Sequence, residues 1–84
     1  MSAMTFPIPR DPVVLRIEKT GRGGKTVTIV SRPAMHPAGK EELLRRLKAA
    51  CGAGGTVRNG EIEIQGDQRA RVKNLLEGMG FRVK

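Results

Sequence analysis

The dipeptide Asn59-Gly60 lies between Thr56-Val57-Arg58 and Glu61-Ile62-Glu63-Ile64-Gln65 and constrains the fold more than any other feature of the chain. Asn-Gly suits a two-residue type I′ turn, whose positive φ angles match the twist of the strands on either side. Such a turn pairs Arg58 with Glu61, Val57 with Ile62 and Thr56 with Glu63. Val57, Ile62 and Ile64 then share one face, as a sheet buried on one side requires, and Arg58 lies across from an opposite charge.

Two further alternations precede this hairpin. Val13, Leu15 and Ile17 alternate with Val14, Arg16 and Glu18, and Val27 and Ile29 alternate with Thr26, Thr28 and Val30. Period-2 patterning of this kind predicts two strands. The segment between them, Lys19-Thr20-Gly21-Arg22-Gly23-Gly24-Lys25, predicts a long, pliable, basic hairpin connection. Residues 31–39 contain Pro33, Pro37 and Gly39 and read as a loop.

A helix is expected from near Lys40, with Leu43, Leu44, Leu47 and Ala50 or Cys51 forming one apolar stripe. Glu41 and Glu42 suit its first turn and Gly52 its left-handed cap. After the Asn-Gly hairpin, Gly66 makes a turn and Asp67 caps a second helix, on which Val72, Leu75, Leu76 and Met79 recur at helical spacing. Gly78 or Gly80 stops that helix, and Phe81-Arg82-Val83-Lys84 alternates as a short last strand.

The resulting order, ββαββαβ, predicts an α+β two-layer sandwich: a mainly antiparallel sheet with two helices on one face. Residues 1–12 hold Pro7, Pro9 and Pro12 without periodicity and read as an extended N-terminal arm, leaving residues 13–84 as a single domain.

Length limits function. A chain of 84 residues buries only about 60% of its unfolded surface, which leaves little room for a large enclosed catalytic cleft. The single cysteine, Cys51, excludes an internal disulfide and a multi-cysteine zinc site. No apolar run approaches the roughly 18 residues of a membrane span, and the first residues lack the charged head and apolar core of a secretory signal. A cytoplasmic protein without a cofactor is expected.

The Gly24-Lys25-Thr26 triplet superficially matches a phosphate-binding loop, but Lys19 stands where the first glycine belongs and a strand follows where a helix is needed. Gly52-Ala53-Gly54-Gly55 follows a helix, at the negative end of its dipole, and reads as a tight connection. His36 has no sequence-adjacent acid, Cys51 reads as a small core residue, and Glu61 and Glu63 read as a solvated strand face. No nucleophile, base and oxyanion group can be assembled, so a non-enzyme is expected.

The charge pattern is more informative. Sixteen Lys or Arg against eight Asp or Glu leave a formal +8. From Lys19 to Arg32 there are four positive charges and no acids. Arg45, Arg46 and Lys48 form a second cluster near Lys40, and Arg69, Arg71 and Lys73 a third. Several such groups meeting phosphates would bind nucleic acid with strong salt dependence. With no Trp, no Tyr and two Phe, recognition must rest on charge and shape more than on stacking.

Four strings in order resemble the translation initiation factor one family, most closely its small bacterial and archaeal members. They are Gly21-Arg22-Gly23-Gly24-Lys25-Thr26-Val27-Thr28, Leu43-Leu44 with Leu47-Lys48, Cys51-Gly52-Ala53-Gly54-Gly55-Thr56-Val57, and Ile62-Glu63-Ile64-Gln65-Gly66-Asp67-Gln68-Arg69. The likeness runs from Val13 to Lys84; the N-terminal arm is shorter than in many relatives.

The resemblance implies a monomeric factor that binds ribosomal RNA of the small subunit near the peptidyl site. There it would monitor pairing of initiator tRNA with the start codon on mRNA, with other initiation factors as further partners. Arg22 and Lys25, with Gly23 and Gly24, correspond to the family's basic hairpin. Arg45, Arg46 and Lys48 correspond to its RNA-facing helix surface, and Gly66 and Asp67 to a Gln-Gly-Asp turn, for which a structural capping role stands beside contact with RNA. Lys19, Arg32, Lys40, Arg69, Arg71 and Lys73 complete the expected RNA-binding set, with Asn59 and Gly60 a structural turn. The alternative is an RNA- or protein-binding stress or translation-regulatory module of the same fold.

Overall fold

The computed structural model describes residues 8–20, 24–31 and 33–84. Its sheet consists of β1 (Leu15–Thr20), β2 (Lys25–Val30), β3 (Gly55–Arg58) and β4 (Glu61–Gln65), in the order β1-β2-β4-β3 with every pair antiparallel. Helices α1 (Pro37–Cys51) and α2 (Arg69–Gly78) pack on one face, giving the expected α+β two-layer sandwich.

The β3–β4 hairpin has the register that Asn59-Gly60 dictates: Thr56 opposite Glu63, Val57 opposite Ile62, Arg58 opposite Glu61. Asn59 at φ 53° and Gly60 at φ 80° both lie in the left-handed region a type I′ turn needs. Ile62 and Ile64 are fully buried and Val57 packs beside them, so a one-residue slip would turn the whole set outward.

The same register logic decides which side of β2 faces the helices. Thr28 pairs with Ile64 and Val30 with Ile62, so these two residues point into the core beside Leu43, Leu47, Val72 and Leu76. Val27 and Ile29 therefore lie on the opposite face, which neither α1 nor α2 covers. Ile29 is nonetheless only 1% exposed. Its register neighbour Arg16 reaches across β2 on this face to hold Glu61 through two hydrogen bonds of 2.9 and 3.0 Å.

Four local expectations are corrected. First, α1 begins at Pro37 instead of Lys40. Proline is well suited to the first helical position, and His36 caps the end by accepting the Ala38 N–H on its Nδ1 at 3.0 Å. Second, Glu41 and Glu42 consequently fall beyond the first turn, which has no acid. Third, the N-cap of α2 is Gln68, not Asp67, whose carboxylate accepts the Arg69 N–H at 3.4 Å.

Fourth, the last residues form no strand. Val83 makes an isolated parallel bridge to Val13, with Val13 N–H donating to Arg82 O and Lys84 N–H to Val13 O, both at 2.9 Å. Phe81 is buried in the core, and Ile8, in the N-terminal arm, is partly buried against it. Gly52 takes φ 61° and closes α1 as expected, and α2 ends at Gly78.

Candidate nucleic-acid interface

A network of contacts gathers several of the candidate residues at one end of the molecule, where the end of β1, the start of β2, the β4–α2 turn and the α1–β3 turn meet. Gly66 N–H donates to Thr26 O at 2.8 Å, and Gln65 N–H donates to Gly54 O at 2.9 Å. Arg71 of α2 reaches Ala50 O near the end of α1 at 3.5 Å. Lys19, paired with Thr26, together with Gly24, Lys25, Gly66, Asp67, Arg69, Arg71 and Lys48, therefore belongs to a single end of the domain.

Thr28 anchors this end from inside. It is 0% exposed, its hydroxyl donates to Gly66 O at 2.7 Å, and its oxygen accepts the Gln68 N–H at 2.7 Å. One side chain thus satisfies two polar groups of the turn and fixes where α2 starts, which sets the direction of Arg69 and Arg71. No sequence signal marked it, since Thr28 is one of two threonines in β2 and sits on the side opposite Val27 and Ile29.

The charge at this end is predominantly positive, with Asp67 the one acid among Lys19, Lys25, Lys48, Arg69 and Arg71. The first turn of α2 has no acidic residue and carries Arg69 and Arg71, although cations there oppose the helix dipole. With only Asp67 set against Arg69 and Arg71, the start of α2 keeps a net positive charge, which favours an anionic partner. Arg69 is tied to Asp67 through 3.1 Å contacts, and that hydrogen bonding, followed by the Arg69 backbone N–H, holds the Asp67 carboxyl below its usual range. Lys25, Lys48 and Arg71 are exposed, and no ion pair engages them among the described residues.

The other candidates lie elsewhere. Lys40 is near the opposite end of α1. Arg45 and Arg46 both grip Glu42 one turn back, and the hydrogen bond from Arg45 in particular lowers the Glu42 pKa. Lys73 is exposed further along α2. Asn59 and Gly60 form the β3–β4 turn at the far end of the sheet. Arg22, Gly23 and Arg32 lie outside the described residues.

Burial pushes the Cys51 thiol up, against a smaller opposing pull from Arg71. Among the described residues no cluster of His, Cys, Asp and Glu is placed to hold a metal ion, and no helix is long and apolar enough to cross a membrane.

The model of the translation initiation factor SUI1 family matches residues 9–82. The chain belongs to the SUI1 translation initiation factor family. A protein translation factor SUI1 homolog from Sulfolobus acidocaldarius is 46% identical over 69 residues, covering 82% of this chain and 69% of its own. The uncharacterized protein YciH of Salmonella typhimurium is 42% identical over 83 residues, covering 95% and 77%. An uncharacterized protein of Synechocystis sp. is 40% identical over 79 residues, covering 94% and 71%. SUI1 is a family of translation factors and not of enzymes, so a role in translation initiation is the frame for the cationic end.

Proposed function

We propose that this protein acts in the cytoplasm as a monomeric initiation factor that binds ribosomal RNA of the small subunit near the peptidyl site. There it supports discrimination of the start codon and initiator tRNA, with mRNA and other initiation factors as neighbours. The observation that carries this reading is the convergence of Lys19, Lys25, Lys48, Arg69 and Arg71, from four separate elements, on the end of the domain where β1 stops and β2 starts. Membership of the SUI1 family supplies the biological frame.

In this reading the affinity comes from phosphate neutralisation and the shape of the RNA, and the hairpin, including Arg22, enters the decoding region. Arg45, Arg46 and Lys73 extend the contact along the helices, the first two carrying Glu42 with them and contributing less net charge.

Co-sedimentation with isolated small subunits across a salt series tests the proposal. Binding should fall steeply with salt, and Lys25→Gln or Arg71→Gln should each reduce the slope of log affinity against log salt by about 1. The double variant Arg22→Ala with Lys25→Ala should bind much more weakly. Unaltered binding by that variant would remove the hairpin from the interface. In fractionated lysates the protein should travel with free small subunits and leave when subunits join. Migration with free mRNA or with a protein partner would favour the regulatory-module alternative.

A further inference from the structure

The sheet face turned away from the helices has a character unlike the rest of the surface. Along the strand registers it presents Arg16, Lys25 and Arg58 matched by Glu18, Glu61 and Glu63, so this face is neutral and the formal +8 is carried elsewhere in the chain. In it lies a hollow of about 490 Å³, within the range of small-ligand clefts. Val27 is its apolar floor, Thr56, Glu63 and Gln65 supply polar groups, and Lys25 and Arg58 are its cations.

Resting on the reading that RNA approaches the cationic end, we infer that this hollow receives a single unstacked base of that RNA, and that it favours guanine. The hollow adjoins the interface directly, because Lys25 belongs to both and Gly66, the turn residue bonded to Thr26, lies on its border. A strand held by its phosphates along the cationic end therefore has a neutral recess beside it.

The chemistry of the hollow selects its occupant. A phosphate would meet the Glu63 carboxylate, whereas a base offers a flat apolar face to Val27 and a hydrogen-bonding edge to the polar residues. Arg58 lies 3.9 Å from Glu63, beyond hydrogen-bond length, so it does not occupy the carboxylate through a tight bond. A carboxylate accepts two parallel N–H groups, and guanine presents such a pair at N1 and its exocyclic amino group. Uracil presents one N–H between two carbonyls, which a carboxylate repels.

The test is a titration of the isotope-labelled full chain, read by backbone amide resonances, with guanosine monophosphate, uridine monophosphate and ribose 5-phosphate. Guanosine monophosphate should shift Val27, Thr56 and Gln65 with about tenfold higher affinity than the uridine compound, while ribose 5-phosphate should shift only residues near the cations. Glu63→Gln should reduce the guanine preference to about twofold or less. Thr56→Tyr, on an exposed strand position, should fill the hollow and abolish the shifts while the chain still sediments with small subunits.

Equal responses to the two nucleotides, no response at Val27 and Gln65, or retained preference in Glu63→Gln would overturn the inference. A hollow that ignores all three probes, but whose filling weakens subunit binding, would assign it to a ribosomal protein and likewise overturn it. Failure of the wild-type chain to sediment with subunits counts against the proposed function alone, because the nucleotide titration is read independently.

Discussion

Replacing Thr28 with valine is the sharpest single perturbation of this architecture. The two side chains are nearly the same size, so no cavity opens and the packing against Ile64 is kept. What disappears is a hydroxyl that is 0% exposed and makes two 2.7 Å hydrogen bonds, to Gly66 O and from Gln68 N–H. Each bond contributes roughly 0.5–1.5 kcal/mol net, and a buried polar group left without a partner costs roughly 1–3 kcal/mol. Partial rehydration of the turn relieves some of that cost, so Thr28→Val should destabilise the domain by about 2–4 kcal/mol. For a domain of this length the change corresponds to a fall in Tm of about 10–20 °C.

Urea denaturation followed by circular dichroism measures this change. Thr28→Ser, which keeps the hydroxyl and loses a methyl group, should cost only about 1 kcal/mol. A valine variant within about 0.5 kcal/mol of wild type would refute the claim that this hydroxyl organises the β4–α2 turn. The loss of anchoring should also loosen the start of α2, so amide exchange should accelerate first at Gln68 and Arg69 under native conditions.

Other consequences follow from the same geometry. A Cβ on Gly55 would lie 2.4 Å from Glu63 O and 2.8 Å from the Ile64 side chain, so Gly55→Ala should cost about 1–3 kcal/mol in a denaturation experiment. Leu47→Ala, on the core-facing side of α1, should cost about 2–5 kcal/mol by the same assay. Glu42 and Asp67 have carboxyls lowered by hydrogen bonds from Arg45 and Arg69, so their stabilising contribution is complete above the ordinary carboxylate range and fades as pH falls through their lowered values. Stability measured from pH 7 down to about 3 should therefore decline, and Glu42→Gln with Asp67→Asn should flatten the decline. These pairs are exposed, so the effect should be modest and reduced further by salt.

The parts of the fold legible in the sequence are those whose signals are local. Asn59-Gly60 with alternation on both sides specifies the turn, the register and the buried face at once. Leu43, Leu44 and Leu47 on α1, and Val72, Leu75 and Leu76 on α2, mark their helices because burial repeats with the helical period. The start of α1 was obscured because Pro37 reads as a breaker, whereas at a first helical position it is an initiator, and His36 is an uncommon cap. The fate of Phe81 to Lys84 depended on a partner, Val13, at the other end of the chain, which no local pattern announces.

The candidate site divides the same way. That Lys25, Lys48 and Arg71 carry charge is plain in the sequence, but their meeting at one end depends on the turn contacts of Gly66, Gln65 and Thr28. The spacing of Glu42 to Arg45 and Arg46 did carry a readable sign that those two cations would be internally paired, since residues three and four apart are neighbours on a helix. The side of β2 that faces the core was hidden because Thr28, not Val27 or Ile29, points inward, and its polarity is satisfied only by a turn nearly forty residues later.

On the proposed function, the end bearing Lys25 and Arg71 should face ribosomal RNA and the end bearing Asn59 should face away. Directed hydroxyl-radical cleavage tests this orientation most directly, with an iron chelate attached to a single introduced cysteine in a Cys51→Ser background. From Lys25→Cys, the bound protein should cut small-subunit RNA around the peptidyl site, and from Asn59→Cys it should cut there weakly or not at all. Strong cleavage of that region from Asn59→Cys, with none from Lys25→Cys, would contradict the account.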